Sequence, residues 1–332
     1  ALFTNETGGS NTAVGSNALT SNTSGAANTA IGINALENNT TNNITAVGRN
    51  ALQSNTSGAE NVAVGAFCMT ANTTGGQNTA FGFGALNSNI SASNNTAMGR
   101  SALLNNDTGT NNTAVGYLSG STTTSGNNNC AFGKSALEGN TSGSGNVAIG
   151  VSALAVKTTG GANTAVGTDA LGIATTSGNN TAVGAQAGSV VTSGSNNLLL
   201  GHDAGTSSAP SGAVGTSSNQ IVLGDNSITT ASIKVSFTVT SDERDKADIT
   251  DFTKGLNFVN ALRPVTYKWD MRSNYSSDLS VTPDGTHKSE KTEIGLIAQE
   301  VETVEKANGY GTDENNRLLI SKSTDGLHYG LK

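Results

Sequence analysis

Apolar and polar positions along this chain repeat as a fixed phrase. Asn-Thr-Ala-Val-Gly at Asn11–Gly15 returns as Asn-Thr-Ala-Ile-Gly at Asn28–Gly32, and variants of it recur along most of the chain. The closing glycines are Gly15, Gly32, Gly48, Gly65, Gly82, Gly99, Gly116, Gly133, Gly150, Gly167, Gly184 and Gly201, which gives ten intervals of 17 residues and one of 16. A period of this kind predicts one structural unit stacked twelve times. Each position is therefore sampled twelve times in one molecule. Gly closes every unit, as a backbone with φ > 0 or a close approach would require. Four residues earlier stands Asn in all units but one, Ile44 being the exception, and this predicts a ladder of side-chain amides.

The residue before each Gly is Val, Ile, Phe, Met or Leu, from Val14 to Leu200, and its varied size reads as a core. The preceding column is Ala from Ala13 to Ala182, broken only by Leu199. Neighbours on a strand face opposite sides, so these two columns cannot share a face. The expectation is that the Val column fills the interior of the coil and the methyl-sized Ala column meets a second chain. An Ala-Leu pair three residues after the Gly (Ala18 and Leu19, Ala35 and Leu36) predicts a second short strand, with Asn-Thr-Ser-Gly as the turn. The result is a thin parallel β-solenoid rising about 4.8 Å per rung, or roughly 60 Å for twelve rungs. Aromatics are 4% of the chain, and so little apolar bulk sets weak burial against the ordering of many Gly, Asn, Ser and Thr. Association of three copies around the Ala face is expected to make up the difference.

Asn28-Thr29-Ala30-Ile31-Gly32 and Asn146-Val147-Ala148-Ile149-Gly150 resemble the Asn-Ser-Val-Ala-Ile-Gly head repeat of trimeric autotransporter adhesins, although the period here is longer. The resemblance implies a left-handed parallel β-roll in a three-chain bundle. The fold class expected is thus mainly β, a trimeric β-roll or β-solenoid shaft followed by a small α+β domain.

Net charge is −7 over 332 residues without a basic cluster, which argues against a nucleic-acid partner. No apolar run approaches the roughly 20 residues of a membrane helix, and no signal peptide opens the chain. Ala1 and Leu2 stand one period before Ala18 and Leu19, so the sequence is expected to be a fragment of a longer protein. Cys68 and Cys130 occupy columns otherwise held by Ala and Thr and read as unpaired thiols. His202, His287 and His328 have no Cys or His neighbours at metal-ligand spacing, and no Gly-Gly-x-Gly-x-Asp series marks a calcium-binding roll, so neither metal nor cofactor is expected. The Thr column from Thr12 to Thr181 is one residue wide and interrupted by Val62, Cys130 and Val147, which fits β-branched packing rather than an ice-binding face.

Composition changes near Ser241. Residues 1 to 240 hold 13 charged side chains and 241 to 332 hold 28, with the only Trp. The domains expected are a repeat shaft over 1–218, closing strands over 219–240 (Asn219 to Gly224 and Ile233 to Val239), and a globular domain over 241–332. Within the last, Phe252, Leu256, Val259 and Leu262 fall on one face of a helix ended by Arg263-Pro264. Val265 to Trp269 and Ile294 to Ile297 read as strands around a polar loop, Ala298 to Ala307 as a helix, and Leu318 to Ser321 with Leu327 to Gly330 as a hairpin.

Ser241-Asp242-Glu243-Arg244-Asp245-Lys246, Leu262-Arg263-Pro264-Val265-Thr266-Tyr267-Lys268-Trp269 and Gly295-Leu296-Ile297-Ala298-Gln299-Glu300-Val301 resemble the intramolecular chaperone of endosialidases. This resemblance implies a domain that caps phage tail fibres, drives trimerisation and cuts itself off. The bond cut would be Thr240-Ser241, with Ser241 as nucleophile and Lys246 as base, and with Asp242, Arg244, Gly295 and Gln299 as supporting motif positions. The chain ends before that family's C-terminal helical segment. A neutral Lys246 requires desolvation in a packed trimer, and Asp242, Glu243 and Asp245 oppose it, so the cut is expected to wait for assembly. Parallel rungs of three chains in common register fold slowly with open edges, which a trimerising end domain would relieve. The function expected is a virion tail-fibre shaft, located on the virion or extracellular surface. Its partners would be two further copies, a host cell-surface receptor and other tail proteins, without membrane insertion. The alternative is the head of a bacterial surface adhesin. Any enzyme activity would be a single-turnover Ser-Lys self-cleavage, since the eight acidic residues of the repeats offer no paired carboxylates for an external substrate.

Overall fold

The computed structural model describes residues 1–156, 159–228, 254–270, 275, 282–310, 319–322 and 329–331. The chain divides into two compact units, one of residues 1–209 with 213–225, the other of 210–212 with 226–332.

The first unit is a parallel β-solenoid. Thirteen strands of three residues, from β1 (Thr12–Val14) through β12 (Leu198–Leu200) to β13 (Ile221–Leu223), pair in sequence order in one sheet. Register is maintained rung to rung: Thr12 faces Thr29, Ala13 faces Ala30 and Val14 faces Ile31. The thirteenth strand lies 23 residues after the twelfth rather than 17, yet Leu198, Leu199 and Leu200 still pair with Ile221, Val222 and Leu223. The segment from Asn219 to Gly224 thus adds a thirteenth strand, Ile221–Leu223, to the sheet, while Ile233 to Val239 lies outside the described residues.

The orientation of the strands reverses the expected assignment of faces. Ala30, Ala46, Ala63, Ala80, Ala97 and their successors are buried within the coil of a single chain, whereas Ile31, Phe81, Met98, Phe132, Ile149 and Val183 on the adjacent column are each about two-fifths exposed. The reason is the width of the coil. A rung this short encloses a lumen that also holds Ala18, Leu19 and their equivalents from the turn, so the strand can contribute only a methyl group. Varied size in the Val column reflects freedom at a surface.

The Ala-Leu pair is also not a second strand. Leu19, Leu36, Leu52, Leu86, Leu103, Leu137, Leu154 and Leu171 sit in the left-handed region with φ between 49° and 56°. That conformation costs an L-residue about 1–2 kcal/mol, and full burial of a leucine side chain offsets it by about 1.5–3 kcal/mol. Inter-rung bonding continues through the turn, Leu19 N–H donating to the Ala35 carbonyl at 3.1 Å. Where glycine takes this position once, at Gly120, Leu103 of the preceding rung fills the space, its Cδ2 3.0 Å from where a Cβ would stand, but where two consecutive rungs have glycine, at Gly188 and Gly205, the space is filled from the strand. A Cβ on Gly188 would lie 2.7 Å from Leu199 Cδ1, and one on Gly205 would lie 3.0 Å from Leu199 Cδ2. Leu199 therefore breaks the Ala column because the flanking rungs have given up their leucines.

Polar ladders complete the interior. The Asn28 backbone N–H donates to Asn11 Oδ1 at 2.9 Å, Asn78 to Asn61 at 2.9 Å and Asn197 to Asn180 at 3.0 Å. The amide of the same column reaches forward, Asn61 Nδ2 donating to the Gly75 carbonyl at 2.7 Å. Buried backbone at the turns is satisfied in this way, which the narrow lumen requires because it admits no other partner. A second column, Asn55, Asn72 and Asn89, bonds side chain to side chain at 2.8 and 2.7 Å. The closing glycines adopt φ between +109° and +140°, and a Cβ on Gly99 would stand 2.5 Å from the Gly116 carbonyl oxygen. Both expected reasons for glycine hold at once.

In the second unit, α1 (Gly255–Ala261) leads through Arg263-Pro264 into β14 (Val265–Tyr267), which pairs antiparallel with β15 (Glu293–Gly295). Helix α2 (Ala298–Ala307) follows, as predicted, and stops at Asn308-Gly309 where Gly309 takes φ +85°. The hairpin consists of β16 (Ile320–Lys322) and β17 (Tyr329–Leu331), displaced by one or two residues from its predicted bounds. The apolar face expected for α1 is not the buried one. Phe258 is buried, while Leu256 and Val259 are exposed.

Candidate functional site

Two features of the chain offer chemistry or contact. The first is the outward face of the solenoid sheet. Each strand presents two side chains outward, the Thr-type residue and the Val-type residue, so β1 to β13 stack an unbroken apolar column. Thirteen rungs make a strip about 60 Å long. Beside it, one or two residues after the closing glycines of the middle rungs, stand Arg49, Phe67, Phe83, Arg100 and Tyr117. The Arg49 guanidinium lies 4.4 Å from the Phe67 ring centre, and that of Arg100 lies 5.8 Å from Phe83 and 5.9 Å from Tyr117.

The second feature is the core of the C-terminal unit, where two sequence blocks meet. Leu262 to Trp269 and Gly295 to Val301 are joined as paired strands, Val265 opposite Gly295 and Tyr267 opposite Glu293. Gly295 sits close under the Tyr267 ring, where a Cβ would stand 3.2 Å from Cε1 and press the ring aside. The Tyr267 ring in turn stands edge to face against Trp269 at 5.2 Å. Arg263 ties the first block to α2: its Nε donates to Glu300 Oε2 at 3.0 Å, and Nη2 to Glu300 Oε1 closes the fork. The Arg263 hydrogen bond holds the Glu300 carboxyl below its ordinary range, and Glu300 raises the guanidinium. Gln299 is exposed at the start of α2, its carbonyl accepting from Thr303 Oγ1 at 2.9 Å. Glu300 was not singled out from sequence. Its signal is an acid in one block and a base in the other.

Exposed apolar side chains surround this core. Val259, Leu262, Pro264, Ile294 and Leu296 line an open groove, and Ile294 is 79% exposed. The candidate dyad of Ser241 and Lys246, the scissile Thr240, and Asp242 and Arg244 lie outside the described residues, so Gly295 and Gln299 are the site positions to which the structure assigns a place.

His202, Asp203 and Asp225 come together at the end of the solenoid, a grouping the linear spacing of the histidines did not reveal. Cys68 and Cys130 are unpaired thiols. Cys68 is buried with Sγ 3.4 Å from the Ala80 carbonyl, and burial pushes its thiol up to about 12. No described helix is long and apolar enough to cross a membrane.

Residues 241–310 match the family model described as the chaperone of endosialidase. No curated protein and no solved structure matches the chain. The match spans the second unit's two joined blocks and the segment that carries Ser241 and Lys246.

Proposed function

We propose that this chain is a shaft segment of a virion tail fibre, that three copies associate along the outward apolar column of the solenoid, and that the C-terminal domain aligns them before cutting itself off at Thr240-Ser241. The observation that carries the reading is the exposed column itself. Ile31, Phe81, Met98, Phe132 and Ile149 stand in water on one face of one chain, and closed threefold symmetry hides such a face on every copy without leaving an open end. The interior of the coil has no unfilled side, so association uses the Val-type column and not the Ala column. The family match over 241–310 supports the chaperone part, and the groove beside Ile294 offers it an apolar contact face. A host receptor and further tail proteins are the partners this reading calls for.

In the proposed cut, Ser241 Oγ attacks the Thr240 carbonyl while Lys246 Nζ accepts its proton. The Thr240–Ser241 C–N bond breaks as Lys246 returns the proton to the Ser241 amine, water then hydrolyses the Thr240 ester on Ser241 Oγ, and the released fragment carries Ser241 at its amino end. The test is light scattering on the whole chain together with amino-terminal sequencing of any fragment. The expected result is a mass of three chains and a fragment starting at Ser241, absent in Ser241→Ala and Lys246→Ala although both still form trimers. A monomeric wild type would refute the assembly. Release that persists in Ser241→Ala would refute the nucleophile.

A further inference from the structure

We propose that His202, Asp203 and Asp225 form a divalent-cation site, suited to zinc, that pins the last rung of the solenoid to the one before it. The three residues come from two rungs. His202 and Asp203 follow β12, and Asp225 follows β13. Because Leu200 pairs with Leu223, Gly201 stacks on Gly224 and His202 on Asp225. This juxtaposition survives the lengthening of the last interval to 23 residues, so the inserted residues are accommodated without disturbing the stack.

The donors suit the ion in type and spacing. Zinc takes imidazole nitrogen and carboxylate oxygen at about 2.0–2.2 Å, so the edge of a zinc tetrahedron is roughly 3.3–3.5 Å. His202 Nδ1 lies 3.3 Å from Asp225 Oδ2 and 3.5 Å from Asp203 Oδ2, and all three donor atoms lie within 4.8 Å of one another. Asp203 sits in the left-handed region with φ 54°, and its side-chain exposure is only 19% against 63% for His202. Two partly buried carboxylates and an accessible imidazole make a three-ligand site with one position open to water. No other trio of His, Cys, Asp and Glu is so placed among the described residues. Binding places a bond across the gap between the last two rungs of the described sheet.

The competing account is a protonated His202 shared between two carboxylates, and zinc titration of the whole 332-residue chain separates the two. After dialysis against a chelator, zinc is added in competition with a chromophoric indicator. The expected result is one equivalent per chain, at least tenfold weaker in His202→Ala and in Asp225→Asn and unchanged in the control His287→Ala. Hydrogen exchange of the Ile221 to Leu223 amides should slow on zinc addition in the wild type alone. Absence of binding by the wild type, or binding undiminished in His202→Ala, overturns the site. Binding without slowed exchange in the last rung overturns the pin.

Discussion

At the scale of single residues, the coil is governed by volume. Leu199 occupies space that the leucines missing at Gly188 and Gly205 would otherwise fill. Leu199→Ala should therefore destabilise the shaft by about 2–5 kcal/mol, since nothing nearby can collapse into the void. A denaturant titration measures it, and a cost under 1 kcal/mol would contradict the packing. Cys68 tests the dryness of the same lumen. Burial raises its thiol from 9.0 to about 12, so the folded state favours the protonated form. Its contribution to stability is whole below pH 9 and is lost as pH climbs from there toward about 12. The denaturation midpoint should fall over that window in the wild type and less so in Cys68→Ala, which restores the residue of the column. Alkylation of Cys68 should be undetectable in the folded chain at pH 8.

At the scale of elements, each strand has one face inward and one outward, and sequence determined the alternation without its sign. The period, the Gly conformation and the Asn ladder were legible because each depends on backbone geometry repeated twelve times. The inward face was not, because a core is usually where large residues go, and only a lumen this narrow inverts that rule. Leu19 and its equivalents misled for a related reason: burial, not β-pairing, explains their apolar character, and they accept a left-handed backbone to obtain it. In the C-terminal unit helix α2 and strands near Val265 and Ile294 were legible, and their pairing came from the structure. The buried face of α1 was not, since in so short a helix Phe258 alone decides it. The sign of the strand face has a direct assay. Phe81→Asp, Met98→Asp and Phe132→Asp together should leave a folded solenoid by circular dichroism and abolish the trimer by light scattering. Ala80→Leu, Ala97→Leu and Ala114→Leu should instead unfold the coil in any oligomeric state.

At the scale of the whole molecule, the solenoid and the C-terminal unit differ in how they can fold. A solenoid of non-local rung contacts gains little from any single rung and folds only when neighbours are present. Under the proposed function, a compact domain built on Arg263, Glu300 and paired short strands would give three chains an organised end to start from. If Ser241→Ala blocks release without blocking assembly, unfolding of the retained and the released forms can be compared by rate. Removal of the aid should slow unfolding of the trimer, or leave it unchanged, because the rungs alone then hold it.

The in-register stacking of the glycines and of Leu200 on Leu223 has a consequence for how such a filament changes over generations. Because off-length intervals of 16 and 23 residues are absorbed in turns while strand pairing stays intact, the natural unit of gain or loss is a whole rung. Recombination between repeats would delete or duplicate a cassette of seventeen codons without disturbing the packing on either side. The reach of the filament is therefore a digital quantity, adjustable in steps of about 4.8 Å, while its ends remain the same.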